Sequence, residues 1–106
     1  MQEMSPRQVH EYLETTTNKP LLLDVRENWE YDICHIKGSE LIPMQTIPNQ
    51  LDQLDPNQEI IVICHHGIRS RMVGQFLEQV KFNSIINLSG GVTAWAQAVD
   101  PNMPTY

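Results

Sequence analysis

Apolar residues in this 106-residue chain recur with two different rhythms. Short, nearly unbroken apolar runs stand at Leu21-Leu22-Leu23-Asp24-Val25-Arg26, at Ile60-Ile61-Val62-Ile63 and from Ser84 to Leu88. Runs of four to six such residues between turn signals fit strands buried on both faces. Ile60 to Ile63 is the clearest of them, because four β-branched side chains in succession favour pleated backbone. Ser39 to Met44, which follows Gly38 and ends near Pro43, reads as a further short strand. Between these runs the spacing becomes helical. Val9, Tyr12 and Leu13 share one helical face, as do Ile47, Leu51 and Leu54; Val73, Phe76, Leu77 and Val80; and Val92, Trp95 and Val99. Glu27 to Ile33 suits a short helical turn.

The punctuation agrees. Ser5-Pro6-Arg7-Gln8 reads as a capping box with proline at the first helical position. Thr15 to Pro20 breaks that helix, Asp55-Pro56-Asn57 and Gly90-Gly91 are turns, and Ser70 is placed to cap the helix containing Val73. Strands alternating with helices predict an α/β fold whose parallel sheet is covered on both faces. Ligands of such sheets bind outside the carboxyl ends of the strands.

Composition narrows the class. A chain of this length fits one domain, 1–106, that buries about two-thirds of its unfolded surface. Two cysteines are too few for a disulfide framework, and MQEMSPRQVHEYLE lacks the regions of a secretory signal, so a cytoplasmic location is expected. No apolar run approaches the ~20 residues of a membrane helix. A net charge of −6 without a basic stripe argues against nucleic-acid and membrane-surface roles. Nothing calls for a cofactor.

One stretch departs from this acidic background. ICHHGIRSR, residues 63–71, contains Cys64, His65, His66, Arg69 and Arg71, and no Asp or Glu occurs from Ile60 to Leu77. A thiol with its ordinary pKa of ~8.5 is mostly protonated at neutral pH, and only the thiolate is nucleophilic. Arg69 and Arg71, the dipole of the following helix, and backbone amides that Gly67 allows to curl around one point would all favour a thiolate at Cys64. The same features would hold an anion. Against this stands a plainer reading, in which Cys64 is a small buried hydrophobe.

Four segments in order resemble the rhodanese-like domains. They are LLLDVR (21–26), EYDICHIKGSELIP (30–43), VICHHGIRS (62–70) and NLSGGVTAW (87–95). The resemblance implies a five-stranded, mainly parallel sheet with helices on both faces. It also implies a sulfurtransferase in which Cys64 takes a sulfane sulfur from thiosulfate or a related donor. The Cys64 persulfide then passes that sulfur to cyanide or a thiol, including that of a thioredoxin-like or sulfur-carrier protein. The amides of His65, His66, Gly67, Ile68, Arg69 and Ser70 would stabilise the persulfide, and the Arg69 fork would bind the sulfonate of the donor. Cys34 stands where the family usually has glycine, a position where a positive φ would strain it.

Three rivals follow from the same residues. Phosphatases and arsenate reductases of this fold space their arginine one residue further away, and Ser70 occupies that place here. Zinc could draw on Cys34, His35, Cys64, His65 and His66, although Arg69 would repel a cation and no Cys-x-x-Cys exists. A non-catalytic binding or sulfur-carrier module is the third; such modules commonly lack the loop cysteine. Among supporting residues, His65 and His66 either add charge near neutral pH or point into water. Arg71 either shapes donor access or is solvated. Asp24, Arg26 and Glu30 read as a structural charge cluster near the loop, and His35 and Trp95 as core or loop supports. Cys34 is either an inert buried thiol or a partner that resolves the Cys64 persulfide.

Overall fold

A computed structural model describes residues 1–106. Five strands form one sheet: β1 (Gln2–Met4), β2 (Leu21–Asp24), β3 (Glu40–Leu41), β4 (Ile60–Ile63) and β5 (Ile85–Leu88). Their spatial order is β1-β5-β4-β2-β3, and every pairing is parallel, so β4 is the central strand. β1 breaks the expected pattern. It is a three-residue edge strand whose Gln2 and Glu3 are exposed, so no hydrophobic rhythm announces it.

Alternation along the strands divides the interior into two cores. Leu22, Ile61, Ile63, Ile86 and Leu88 face Val9 of α1 (Pro6–Thr15) and Val92, Trp95 and Ala96 of α4 (Gly91–Ala98). Leu23, Ile60, Val62 and Ile85 face Val73 and Leu77 of α3 (Ile68–Gln79), with Ile47, Leu54 and Phe82. α2 (Asn28–Ile33) lies in the connection from β2 to β3.

The Ser5/Gln8 capping box forms as the residues predict: the Gln8 N–H donates to Ser5 Oγ at 3.2 Å, and the Ser5 N–H to Gln8 Oε1 at 2.8 Å. The Ile47/Leu51/Leu54 segment folds differently from a regular helix. It forms 3₁₀ turns at Met44–Asn49 and Leu51–Gln53, because Pro48 lacks the N–H and the space that an α-helix interior needs. Val80 is the C-cap of α3 and 37% exposed, so the buried face ends at Leu77. No helix is long and apolar enough to cross a membrane.

Candidate active site

Cys64 is the first residue beyond β4, and its loop turns directly into α3. Gly67 makes that turn with φ +95°, in the left-handed region that favours glycine, and is the N-cap of α3. Ser70 therefore does not cap the helix. It lies inside the first turn, fully buried, with its hydroxyl against Cys64.

Two contacts hold the sulfur. The Gly67 N–H donates to Cys64 Sγ at 3.1 Å, and the thiol donates to Ser70 Oγ at 3.3 Å. Behind them is a polar relay with no counterpart in the sequence reading. Ser70 Oγ donates to Asn87 Oδ1, and Asn87 Nδ2 donates to Gly67 O at 3.1 Å and to Glu3 Oε1 at 2.9 Å. Asn87 is the one polar residue of β5 and is fully buried. A polar side chain inside an otherwise apolar strand is the signal that could have revealed it, since burial without partners would be costly.

The carbonyl side of the loop is anchored as firmly. Val92 N–H donates to Cys64 O at 2.9 Å and Thr93 N–H to His65 O at 3.2 Å, so the start of α4 pulls both carbonyls toward itself. Amides of the first turn of α3 have no carbonyl to serve within the helix, and Gly67 turns its own toward the sulfur. Gly91 permits this contact: a Cβ there would lie 2.4 Å from Cys64 O and from His65 O. Gly90-Gly91 is therefore a packing surface for the loop as well as a turn.

The charges are arranged differently from the sequence expectation. Arg69 is not an open cation: Nη1 and Nη2 donate to Oε1 and Oε2 of Glu30, each at 2.8 Å. Arg69 holds the Glu30 carboxyl down to about 2 against the opposing effect of burial, with help from the Glu27 N–H and the Tyr106 hydroxyl. Arg71 pairs with Glu3 at 2.8 Å. Arg26 and Asp24, both fully buried, form the ion pair expected of them, with Arg26 Nη2 2.7 Å from Asp24 Oδ2. Burial also pushes the His65 imidazole below its usual value, with His66 acting in the same direction, so the surroundings disfavour its charged form. His66 is exposed and stacks on His65, with ring centroids 3.9 Å apart.

Tyr106, absent from the sequence reading, completes the site. Its ring stacks on His65 at 4.0 Å, its hydroxyl donates to Glu30 Oε2 at 2.7 Å, and Arg26 Nη1 donates to that hydroxyl at 2.9 Å. Burial pushes the phenol up to about 12, Arg26 opposing and Glu30 adding to it, so the group remains a donor.

Cys34 has φ −161°, which is ordinary extended backbone, so the expected strain does not arise. Cys34 and Cys64 are free thiols in the two different cores, on opposite sides of the sheet. That separation removes both a Cys34–Cys64 resolving disulfide and a zinc site shared between them. His35 is exposed and stacks on Tyr31, whereas Trp95 is core as expected.

Glu30 also makes a pH prediction. Its folded pKa lies below the ordinary 4.5, so ionised Glu30 favours the folded state above that value, and the benefit disappears as pH falls toward about 2. Wild type should therefore exceed Glu30→Gln in stability near neutral pH, and the gap should close across this acid range in denaturant titrations. A gap independent of pH would refute the assignment.

A buried cysteine in a tight loop at the carboxyl end of the central strand of an all-parallel sheet defines the class: an α/β domain with a thiol at the turn from β4 into α3. Residues 5–98 match the Rhodanese-like domain family, and the chain belongs to it. It is 30% identical over 104 residues to the thiosulfate sulfurtransferase GlpE of Actinobacillus pleuropneumoniae, covering 98% of this chain and 94% of that protein. It is 32% identical over 105 residues to the probable adenylyltransferase/sulfurtransferase MoeZ of Mycobacterium tuberculosis, where it covers 97% of this chain but spans only 26% of the relative. A crystal structure of a rhodanese-like domain protein from Staphylococcus aureus superposes with a TM-score of 0.85 at 27% identity, covering 100% of this chain and 99% of the other.

Proposed function

We propose that this domain is a sulfurtransferase that carries a sulfane sulfur on Cys64. The observation behind this reading is the Cys64 sulfur at the sheet's carboxyl edge, met by the Gly67 N–H at 3.1 Å and by Ser70. In the first step the Cys64 thiolate attacks the outer sulfur of thiosulfate or a related donor. The donor's bond to that sulfur breaks, and sulfite or a thiolate leaves with the electron pair. In the second step cyanide or an acceptor thiolate attacks the outer sulfur of the Cys64 persulfide, and the bonding pair returns to Cys64. Amide hydrogens at the helix start stabilise the anionic persulfide.

Several features support transfer of a single atom. Cys64 is 1% exposed, which suits a donor presenting a terminal sulfur better than a phosphoryl group. Ser70 faces Cys64 at the place where a phosphatase of this fold would have arginine. Two free thiols suit a reducing compartment such as the cytoplasm. Ile68 and Met72, 64% and 52% exposed next to the loop, offer apolar contact to a protein acceptor of thioredoxin-like or sulfur-carrier type.

The test is covalent. Protein treated with thiosulfate or an alkyl persulfide should gain about 32 Da, the mass of one transferred sulfur, on the Cys64 peptide, and lose it to cyanide or a thiol. Absence of the adduct with every donor, or turnover of an aryl phosphate alone, would refute the proposal.

A further inference from the structure

The sequence presents a cluster of cations around Cys64, but the fold gives each nearby arginine a carboxylate. Glu30 takes both arms of Arg69, Glu3 takes Arg71 and Asp24 takes Arg26. Glu30 is held in turn. Its side chain is 4% exposed, Oε1 accepts the Glu27 N–H at 3.0 Å, and Oε2 accepts the Tyr106 hydroxyl. The carboxylate is thus fixed on three sides, and the Arg69 fork is occupied in the geometry that a sulfonate would need.

The surroundings of the loop are organic in character. His66, His65 and Tyr106 stack in series, the edge of Trp29 meets Tyr106 at 5.7 Å, and Trp29 and Ile68 are 60% and 64% exposed. A small inorganic dianion finds no free guanidinium there and meets a carboxylate behind the one it needs. An alkyl or aryl persulfide can place carbon against the rings and requires no cation.

We propose that Glu30 is a selectivity residue that acts through Arg69, turning the site toward organic persulfide donors and away from thiosulfate. The proposal rests on the sulfur-transfer reading above and deepens it. With such a donor the Cys64 thiolate attacks the terminal sulfur of R–S–SH, the donor S–S bond breaks, and the products are Cys64–S–SH and RS⁻, with charge and protons balanced.

The test compares how fast Cys64 is persulfidated, followed by mass, by thiosulfate and by the persulfide of 2-mercaptoethanol. Assays are run at about pH 8, above the ordinary histidine range. Glu30→Gln should raise the rate with thiosulfate roughly tenfold through a lower half-saturating concentration, the effect of freeing one charge-assisted hydrogen-bonding group. Loading from the persulfide should stay within about twofold, because that donor does not use the fork. The gain should vanish in Glu30→Gln/Arg69→Ala. Glu30→Ala repeats the test if the glutamine variant fails to fold or retains Arg69 through its amide oxygen. A donor-specific gain cannot come from structural damage. Equal effects on both donors, or a thiosulfate gain that survives loss of Arg69, would overturn the role of Glu30. Failure of both donors to load wild-type Cys64 would instead refute sulfur transfer itself.

Discussion

Gly91→Ala is expected to cost roughly 3 kcal/mol or more of stability and to lower sulfur transfer about a hundredfold or more. The position has φ +61°, where an L-residue with a Cβ is strained by about 1–2 kcal/mol. Space is the larger obstacle. The added methyl would lie 2.4 Å from Cys64 O and 2.4 Å from His65 O, both backbone atoms with no rotamer to escape into. Moving them breaks the Val92 and Thr93 hydrogen bonds that anchor the loop to α4, each worth about 1 kcal/mol. The same movement shifts Cys64 relative to the Gly67 N–H, and a displacement of ~1 Å can cost about a hundredfold in rate.

Gly38→Ala is the control. Its φ of +86° carries comparable backbone strain, but a Cβ there meets nothing within 4 Å. Denaturant midpoints and persulfide turnover measured for both variants separate strain from collision. If Gly91→Ala loses no more than Gly38→Ala, α4 does not hold the loop in the way described.

The comparison of sequence with structure turns on which interactions are local. Strands β2, β4 and β5, the Ser5 cap and the position of Cys64 all depend on residues within a few places of one another, and hydrophobic rhythm reveals them. β1 has no such rhythm, because an edge strand with exposed Gln2 and Glu3 has no buried alternation to display. Ser70 has the chemistry of a cap, but Gly67 closes the turn first because the chain must enter a left-handed conformation there. Charge was the most misleading signal. Arg69 and Glu30 are 39 residues apart in sequence, Arg71 and Glu3 68 apart, and Tyr106 and Glu30 76 apart. A sequence free of acids from Ile60 to Leu77 says nothing about acids brought in by other elements. The family resemblance foretold the fold, while the partners of the arginines near Cys64 came only from tertiary structure.

Asp24→Ala should destabilise the fold by about 3–5 kcal/mol, a large part of the ~5–15 kcal/mol available to a domain of this kind. Asp24 accepts from Arg26 Nε at 2.9 Å and Nη2 at 2.7 Å, and both residues are fully buried. Burial, the largest single effect, would by itself make Arg26 harder to keep charged, but the Asp24 carboxylate and Tyr106 together outweigh it and raise the guanidinium above its usual value. Removal of the carboxylate leaves a cation in a dry interior, still bound to Cys34 O at 2.7 Å and to the Tyr106 hydroxyl but with no opposite charge in contact. That is the costly half of a buried ion pair. Replacing both partners with apolar residues, as in Asp24→Leu/Arg26→Met, should recover most of the lost stability, because neither desolvated charge remains. Urea midpoints for the wild type, the single variant and the double variant measure both the loss and its recovery. A single-variant loss below about 1 kcal/mol would mean that water reaches Arg26, and the pair could not then be the dry support of the tyrosine stacked on His65.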